Sequence, residues 1–339
     1  MPEGHSVHRI ARQFRVNFVG TAPEVTSPQG RFAQGAAILS GREMTDARAV
    51  GKQMFLEFAG DAWLRVHLGI YGAWDFAGDV RIDPSIQIHA ATPGHSRLGQ
   101  NGQVSRAEAA APVDRDREDS VTSIGAPRRT RASGTRIHMA EHDSERPELG
   151  VFPPEPVGQV RVRLLNDTVC ADLRGPTACE VLTPAEVEAV LDRLGPDPAN
   201  ANTAAERDRF LARAGKKRSA IGLVLMDQSV VAGIGNVYRA ELLFRAQIDP
   251  HRPANSLSAG QLGALWDDWA TLLDRGITVG QMITIDGLSD EAYQRALVDR
   301  DERHWVYKLE GRPCKRCGAN ISLEEMAHRK LYWCAGCQH

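Results

Sequence analysis

The sequence lacks any apolar run that approaches the roughly 20 residues a membrane-spanning helix requires. The first residues also lack the apolar stretch of a secretory signal, because Glu3, His5, His8 and Arg9 occupy that segment. We therefore expect a cytoplasmic protein without a membrane partner.

A marked charge of either sign is also missing. The formal net charge is -2 over 339 residues, so the overall charge neither indicates nor excludes nucleic-acid binding. Any basic footprint must be local, and residues 207–218, with six basic residues against one acidic, are a candidate. A run of this kind is more often a solvated helix face.

Aromatic residues are nearly absent from about residue 93 to residue 150, where Ala, Ser, Pro, Arg, Asp and Gly dominate. Such a composition cannot bury enough apolar area to offset chain entropy, which predicts a mostly disordered insertion. Short β-rich runs punctuated by glycine lie on both sides of it, at 53–58, 62–69, 72–78 and 160–175. They predict an antiparallel sandwich or barrel.

Helical patterns flank these strands. An apolar stripe predicts an N-terminal helix that docks by one face, and its residues are Val7, Ile10, Ala11, Phe14 and Phe18. Thr183, Pro184 and Glu186 predict a capping box and a helix that ends at Gly195. From there to about residue 300 the pattern remains helical, so a second domain begins near residue 200.

Cysteine is scarce, and four of the six residues crowd the C-terminal segment as two C-x2-C pairs: Cys314, Cys317, Cys334 and Cys337. Four thiolates in tetrahedral array suit a structural zinc ion and leave no open coordination position. Four free thiols, or His328 or His339 in place of one thiol, are the alternatives. Cys170 and Cys179 lie in strand-like context and are expected to be buried small hydrophobes.

Three further motifs carry possible chemistry. The turn Gly233-Ile234-Gly235 precedes an amphipathic run from Asn236, where backbone N–H groups and an Asn236 cap could contact a phosphate. Lys52 follows a glycine at the start of a strand, and an apolar pair, Ile70 and Tyr71, lies between two glycines at a hairpin tip. An ordinary helix connection, a solvated lysine and a pair tucked under the sheet are the alternatives.

Taken in order behind a Pro-Glu-Gly start, these motifs resemble the formamidopyrimidine-DNA glycosylase and endonuclease VIII (Fpg/Nei) family of base-excision repair enzymes. The match runs from residue 2 to about 92 and from about 155 to 339. The resemblance implies a multidomain α+β fold. Its parts are an N-terminal catalytic antiparallel β-sandwich over 1–195, a helix-two-turns-helix DNA-binding domain over 196–300 and a zinc-finger β-hairpin over 301–339.

The resemblance also implies catalytic roles. Pro2, freed by removal of Met1, would attack C1′ of the damaged nucleotide and form an iminium with the opened sugar. Glu3 would act as general acid and base, and Lys52 would hold a phosphate beside the lesion. The protein would then be a bifunctional DNA glycosylase and apurinic/apyrimidinic lyase, containing one structural zinc ion and acting as a monomer on nucleoid DNA.

The same resemblance implies the DNA contacts. Asn236, in the turn with Gly235, and Arg329 would hold phosphates around the flipped nucleotide. Ile70 and Tyr71 would fill the gap that the base leaves, which offsets part of the cost of flipping.

The chain departs from many relatives at His5 and Ser6, where they have Pro-Glu, so a second carboxylate is absent. Asn-Val-Tyr-Arg-Ala-Glu and the ending Tyr-Trp-Cys-Ala-Gly-Cys-Gln-His resemble the endonuclease VIII branch. This branch implies excision of oxidised pyrimidines with β/δ elimination. An Fpg-type glycosylase for 8-oxoguanine and a catalytically inactive zinc-dependent DNA-binding protein are the alternatives.

Overall fold

The structure is a computed structural model that describes residues 2–86, 123–126, 130–132, 135–137 and 152–339. The predicted insertion at 93–150 lies mostly outside the described residues. The chain forms two compact units. The first contains Met1–Pro2, Ser6–Val190 and Thr278–Gly280, and the second contains Glu3–His5, Leu191–Ile277 and Gln281–His339. The helical segment and the cysteine-rich segment lie in the same compact unit.

Two antiparallel sheets build the first unit. Its strands are β1 (Glu24–Thr26), β2 (Met44–Val50), β3 (Gln53–Phe58), β4 (Ala62–His67), β5 (Ala73–Gly78), β6 (Ser123–Gly125), β7 (Thr130–Ala132), β8 (Thr135–Ile137), β9 (Val160–Leu165), β10 (Val169–Arg174) and β11 (Ala178–Leu182). One sheet has the order β1-β9-β10-β5-β6 and the other β11-β4-β3-β2, while β7 pairs with β8. The predicted strands and the sandwich are confirmed. Within the predicted insertion, β6 pairs with β5 and so joins a sheet.

The N-terminal helix α1 (Gly4–Asn17) supplies the centre of this unit's core. Phe14 is fully buried and contacts the rings of Trp74, Phe76 and Phe18 at centroid distances of 4.7, 5.2 and 5.2 Å. The core also takes in apolar residues from both sheets. The predicted apolar stripe is therefore the face of α1 that packs into this core, and this packing fixes the position of the N-terminal residues.

Two shorter helices, α2 (Ala33–Leu39) and α3 (Pro184–Leu191), complete the first unit and its boundary. The capping box is present, since Thr183 N–H donates to Glu186 Oε2 at 2.8 Å and Glu186 N–H donates to Thr183 Oγ1 at 3.4 Å. The helix ends at Leu191 and not at Gly195 as predicted, because the Gly195 N–H donates to the Gln228 carbonyl of the second unit's turn region.

The second unit is helical and ends in a β-hairpin. Its helices are α4 (Ala204–Ala214), α5 (Ile221–Val224), α6 (Asn236–Arg245), α7 (Ala259–Val279, of which residues through Ile277 belong to this unit) and α8 (Asp290–Val298). Residues 236–244 of α6 are all buried, so this helix is the centre of the unit. The predicted pair of helices joined by glycine-rich turns is confirmed as α5 and α6.

The hairpin consists of β12 (Ser322–Met326) and β13 (Arg329–Trp333). Its two-residue turn, Ala327-His328, has φ of 51° and 59°, the left-handed conformation that a tight hairpin of this type requires. The turn sets Arg329 at the start of β13. None of the helices in the described parts of the chain is long and apolar enough to span a bilayer.

Candidate active site and nucleic-acid interface

Glu3 lies at the N-terminus of α6. Its fully buried carboxylate accepts hydrogen bonds from the N–H groups of Gly235 (2.9 Å), Val237 (2.9 Å) and Tyr238 (3.4 Å). The adjacent Gly4 N–H donates to the Gly233 carbonyl at 2.9 Å. Donors at a helix N-terminus favour a negative charge, so the arrangement fixes both oxygens of the carboxylate.

The predicted phosphate-facing cap needs correction. The N-cap is Gly235, in extended conformation (φ -120°, ψ -159°), and Asn236 is the first helical residue. The Gly235 N–H donates to Glu3, so it does not offer a free donor to a phosphate. A Cβ on Gly235 would lie 2.3 Å from Glu3 Cδ. Glycine is therefore required here for the approach of Glu3.

Asn236 connects α6 to the hairpin. Its Nδ2 donates to the Lys330 carbonyl at 2.7 Å, and its Oδ1 accepts from Arg239 at 2.6 Å. Lys330 follows Arg329 on β13. The structure thus brings together the segments that carry two of the predicted DNA-contacting residues, and Arg329 is exposed while Asn236 is buried.

Arg239 is a site residue that the sequence reasoning missed. It is 1% exposed and also donates to the Lys330 carbonyl at 3.1 Å. Burial lowers the pKa of Arg239 to about 10, while the nearby Glu3 charge acts in the opposite direction. The sequence does contain a signal for this residue, because a residue three positions after Asn236 lies on the same helix face. An arginine in a helical pattern is nevertheless typical of a solvated position.

Lys52 lies in the first unit, in the two-residue turn between β2 and β3, where Val50 pairs with Gln53. It was predicted at the start of the strand and lies one residue before it. His67 ends β4 opposite Gln53, and its pKa is lowered by burial and by the charges of Lys52 and Arg65. His67 is therefore a neutral imidazole near the lysine charge. A lone histidine in a strand gave no signal in the sequence.

Ile70 and Tyr71 lie in the turn between β4 and β5 and are 46% and 71% exposed. The pair is presented outward, so the alternative of a pair tucked under the sheet is wrong. A Cβ on Gly69, whose φ is 65°, would lie 1.9 Å from Thr177 Oγ1. A Cβ on Gly72 would lie 2.4 Å from the Leu68 carbonyl oxygen. Both glycines are thus needed for this turn.

The four C-terminal cysteines form one cluster, and their Sγ atoms lie within 4.8 Å of one another. Two Sγ–Sγ distances are 3.8 Å (Cys314–Cys337) and 3.4 Å (Cys317–Cys334). The His328 side chain is 98% exposed and pairs with Glu325, so it is not part of the cluster. Four thiols this close together fit a structural metal ion. By contrast, burial raises the pKa of Cys170 to about 12, as expected of an inert thiol.

The basic run at 207–218 is not a free cationic surface. Arg207 pairs with Asp267 at 3.0 Å, and Lys217 pairs with Asp227 at 3.1 Å. Arg209 pairs with Glu206 at 3.1 Å, and Arg213 donates to the Leu194 carbonyl at 3.0 Å. Most of the run therefore serves internal contacts, and the interpretation as an ordinary helix face is favoured.

Comparison with known proteins places the chain in a family. Two family models match: the formamidopyrimidine-DNA glycosylase N-terminal domain over residues 1–115 and the formamidopyrimidine-DNA glycosylase H2TH domain over residues 194–286. "Endonuclease 8 1" of Mycobacterium tuberculosis H37Rv is 35% identical over 338 residues, which cover 100% of both chains. The 93–150 segment therefore lies within this full-length alignment. "Endonuclease 8" of Escherichia coli O6:H1 is 33% identical over 190 residues, 55% of this chain and 68% of that one.

Solved structures share the fold. The wild-type Lactococcus lactis Fpg in complex with N7-benzyl-Fapy-dG DNA has a TM-score of 0.66 at 18% identity and 100% coverage of both chains. MutM (Fpg) of Thermus thermophilus has a TM-score of 0.62 at 21% identity, covering 99% of this chain and 98% of that one. With the mycobacterial alignment, these findings show that the chain belongs to the formamidopyrimidine-DNA glycosylase and endonuclease VIII family of DNA repair glycosylase/lyases, in its endonuclease VIII-like branch.

Proposed function

We propose that this protein excises oxidised pyrimidines from DNA and cleaves the strand at the resulting abasic site, with Pro2 as nucleophile. One observation carries the proposal. The residue that follows Pro2 is a buried carboxylate held by three backbone N–H donors. An amine nucleophile needs a fixed acid-base partner of this kind.

Removal of Met1 leaves Pro2 with a secondary amine. The pKa of an α-amino group is well below that of a lysine side chain, so a far larger fraction is neutral and nucleophilic at pH 7. The nitrogen lone pair attacks C1′, the glycosidic bond breaks, and the base leaves with the bonding electrons and takes up a proton. The attached nitrogen then loses its proton, the bond between C1′ and the ring oxygen O4′ breaks, and O4′ takes up a proton. The resulting iminium acidifies the C2′ proton. Loss of that proton expels the 3′ phosphate, and a second elimination expels the 5′ phosphate.

Glu3 is the residue we assign to proton transfer in these steps. Its two oxygens are fixed by the N-terminus of α6, so the carboxylate is preorganised. Asn236 and Arg329 in the second unit would each contact DNA phosphates, and Lys52 in the first unit would do the same. These contacts favour anionic DNA but carry no sequence information, which suits an enzyme that must act anywhere in the genome.

Ile70 and Tyr71 would enter the base stack when the damaged nucleotide is flipped out. An exposed apolar pair in a glycine-bounded turn is costly in water and favourable between bases. Insertion into the base stack would explain why the two apolar side chains are exposed.

The cysteine cluster would hold one zinc ion. Its four thiolates would leave the ion no open position, so its chemistry is structural. The hairpin that carries Arg329 and Lys330 would depend on it, since Cys334 directly follows β13.

The resemblance to the endonuclease VIII branch supports the proposed preference for pyrimidines, and both the full-length mycobacterial match and the E. coli match carry the name endonuclease 8. We propose a monomer that acts on nucleoid DNA. A panel of duplexes tests the preference. Each duplex contains one lesion, which is thymine glycol, dihydrouracil, or 8-oxoguanine paired with cytosine. Release of the pyrimidines should be faster. Fast release of 8-oxoguanine without action on pyrimidines would instead assign the protein to oxidised purines.

Borohydride trapping tests the nucleophile. The mature protein should form a covalent complex with lesion DNA, and a variant with an uncleavable N-terminal extension should not, because Pro2 is then an amide. Trapping by the extended variant would contradict the role of Pro2. The absence of any complex from the mature protein would favour a DNA-binding protein without catalysis.

A further inference from the structure

The Arg239 side chain links α6 to the hairpin. Its buried guanidinium reaches two acceptors on different elements, the Asn236 Oδ1 at 2.6 Å on α6 and the Lys330 carbonyl at 3.1 Å on β13. Asn236 Nδ2 reaches the same carbonyl at 2.7 Å. The three groups therefore form a closed triangle of hydrogen bonds.

We infer that Arg239 is a positioning residue that locks the Asn236 amide and the Lys330 backbone, so that Asn236 and Arg329 contact DNA as one rigid unit. The inference rests on the proposed phosphate contacts of Asn236 and Arg329. It adds a residue that touches neither the substrate nor the reacting atoms.

The first argument concerns the orientation of the amide. An asparagine side chain can present either its oxygen or its NH2 group to a neighbour. Arg239 offers only N–H donors, so the Asn236 oxygen must face it and the NH2 group must face the Lys330 carbonyl. One hydrogen of that NH2 group then remains for a phosphate oxygen. A flipped amide would present an acceptor to the Lys330 carbonyl and lose both bonds.

The second argument concerns the choice of arginine. Both bonds come from Arg239 Nη2, whose two hydrogens are held in the plane of the guanidinium, whereas a lysine ammonium is a point charge on a flexible stem. The position also bears a cost, because Arg239 Nε is buried and has no hydrogen-bond partner among the described residues. A buried aliphatic side chain would avoid that cost. An aliphatic residue, however, could not form the hydrogen bonds to Asn236 and Lys330.

The third argument concerns charge. Burial lowers the pKa of Arg239 to about 10, which still leaves it protonated at pH 7, and Glu3 is the first of the nearby charges that favour the protonated form. The Arg329 charge acts against it. The charges of Glu3 and Arg329 therefore act on Arg239 in opposite directions.

The experiment compares Asn236→Ala, Arg239→Lys and the double variant. The probe is a duplex that contains a tetrahydrofuran abasic analogue. Arg239→Lys keeps the charge but loses the planar Nη2 group that donates to both Asn236 and Lys330, so we expect Kd to rise about tenfold or more, as for Asn236→Ala. The double variant should lose no more affinity than Asn236→Ala alone, because both changes remove the same contact with DNA. The slope of log Kd against log salt should fall equally in all three.

Arg303→Lys is the matched control. Arg303 is equally buried in the same unit and donates to the Ala296 and Leu297 carbonyls of α8. It should lower the unfolding midpoint and leave Kd and the salt slope unchanged. Zinc content and circular dichroism establish that each variant is folded. If Arg239→Lys does not fold, Arg239→Gln, which keeps an amide donor, takes its place.

The outcomes separate the two proposals. Wild-type affinity and salt slope in Arg239→Lys, or losses that add in the double variant, overturn the positioning role alone. Wild-type affinity in Asn236→Ala overturns the proposed phosphate contact and the positioning role with it. Equal, non-additive losses with an unaffected Arg303→Lys support the inference.

Discussion

At the scale of single residues, two glycines determine how closely the parts around Glu3 approach one another. Gly235 leaves room for the Glu3 carboxylate itself. Gly276, inside α7, leaves room for His5 and Tyr238, whose rings meet edge to face at 5.6 Å. A Cβ at Gly276 would lie 2.4 Å from Tyr238 Oη and 3.0 Å from His5 Cβ. Because the Tyr238 N–H donates to Glu3, this packing supports the acid.

Gly276→Ala should therefore destabilise the protein. Alanine is the better helix former, but the clash with two buried rings outweighs that gain, and we expect a loss of about 1–3 kcal/mol in the free energy of unfolding. Urea denaturation measures it. Gly260→Ala in the same helix is the control, since the nearest atom to a Cβ there is Ser258 Oγ at 3.8 Å, and it should be neutral or slightly stabilising. Equal effects of the two changes would refute the packing argument.

Features that follow from local pattern were predicted from the sequence, whereas contacts between distant residues were not. Gly235 was predicted as part of a phosphate-binding turn, and its contact with Glu3 was missed. The α1 stripe and the C-x2-C pairs repeat at fixed spacing, so their burial and clustering could be anticipated. Gly235 and Arg239 act through Glu3 and Lys330, which lie 232 and 91 positions away. No local pattern encodes such distances.

At the scale of elements, the hairpin is held to the helices by groups outside the cysteine cluster. His251, in the segment after α6, contacts Asp249 through Nδ1 at 2.6 Å and Glu324 on β12 through Nε2. Its ring meets Trp333 on β13 edge to face at 5.1 Å. Burial opposes the positive charge, but the two carboxylates outweigh it and raise the pKa of His251 above its ordinary value of 6.5.

His251 should consequently make stability depend on pH. A raised pKa in the folded state contributes stability that is fully present below the ordinary value of 6.5 and is lost as the pH rises through the raised pKa. The wild type should therefore lose stability relative to His251→Gln between mildly acidic and mildly alkaline pH. Thermal unfolding of both proteins across this range measures the difference. A constant difference at every pH would contradict the ion pairs.

The cysteine cluster is the second feature on which we expect the stability of the hairpin to depend. We expect one zinc ion per chain, and Cys317→Ser or strong chelation should release it and raise hydrogen exchange in β12 and β13, because two strands alone are only marginally stable. Mass spectrometry of exchange, with metal analysis, measures both. Cys179→Ser is the control, since Cys179 lies in β11 outside the cluster and its loss should leave the metal content unchanged. Full protection of the hairpin without metal would refute this dependence.

The elements also show which strands a pattern can reveal. β3, β4, β5 and β10 have buried positions and glycine at their ends, and they were predicted. Every residue of β11 is half-buried, so it has no contrast between two faces to detect. β6 is three residues long and pairs with β5 from within a segment whose composition predicts disorder. Strand pairing, not composition, orders it.

At the scale of the whole molecule, a net charge of -2 must coexist with affinity for a polyanion. The pairing of arginines within the fold explains how. Arg207, Arg209 and Lys217 are neutralised by acidic partners in the second unit, whereas Arg329 is exposed at the hairpin tip. The count of basic residues along the sequence therefore does not reveal the DNA-binding surface, because side-chain pairing determines which charges face solvent.

This distribution predicts different salt dependence for two arginine variants. Arg329→Gln should weaken binding to duplex DNA and reduce the slope of log Kd against log salt by about 0.9, since one phosphate contact is lost. Arg207→Gln removes an equal charge but breaks only the pair with Asp267, so its slope should match that of the wild type. Titrations at several salt concentrations measure both slopes. An equal change in the two variants would mean that overall charge, and not the placement of Arg329, governs affinity for DNA.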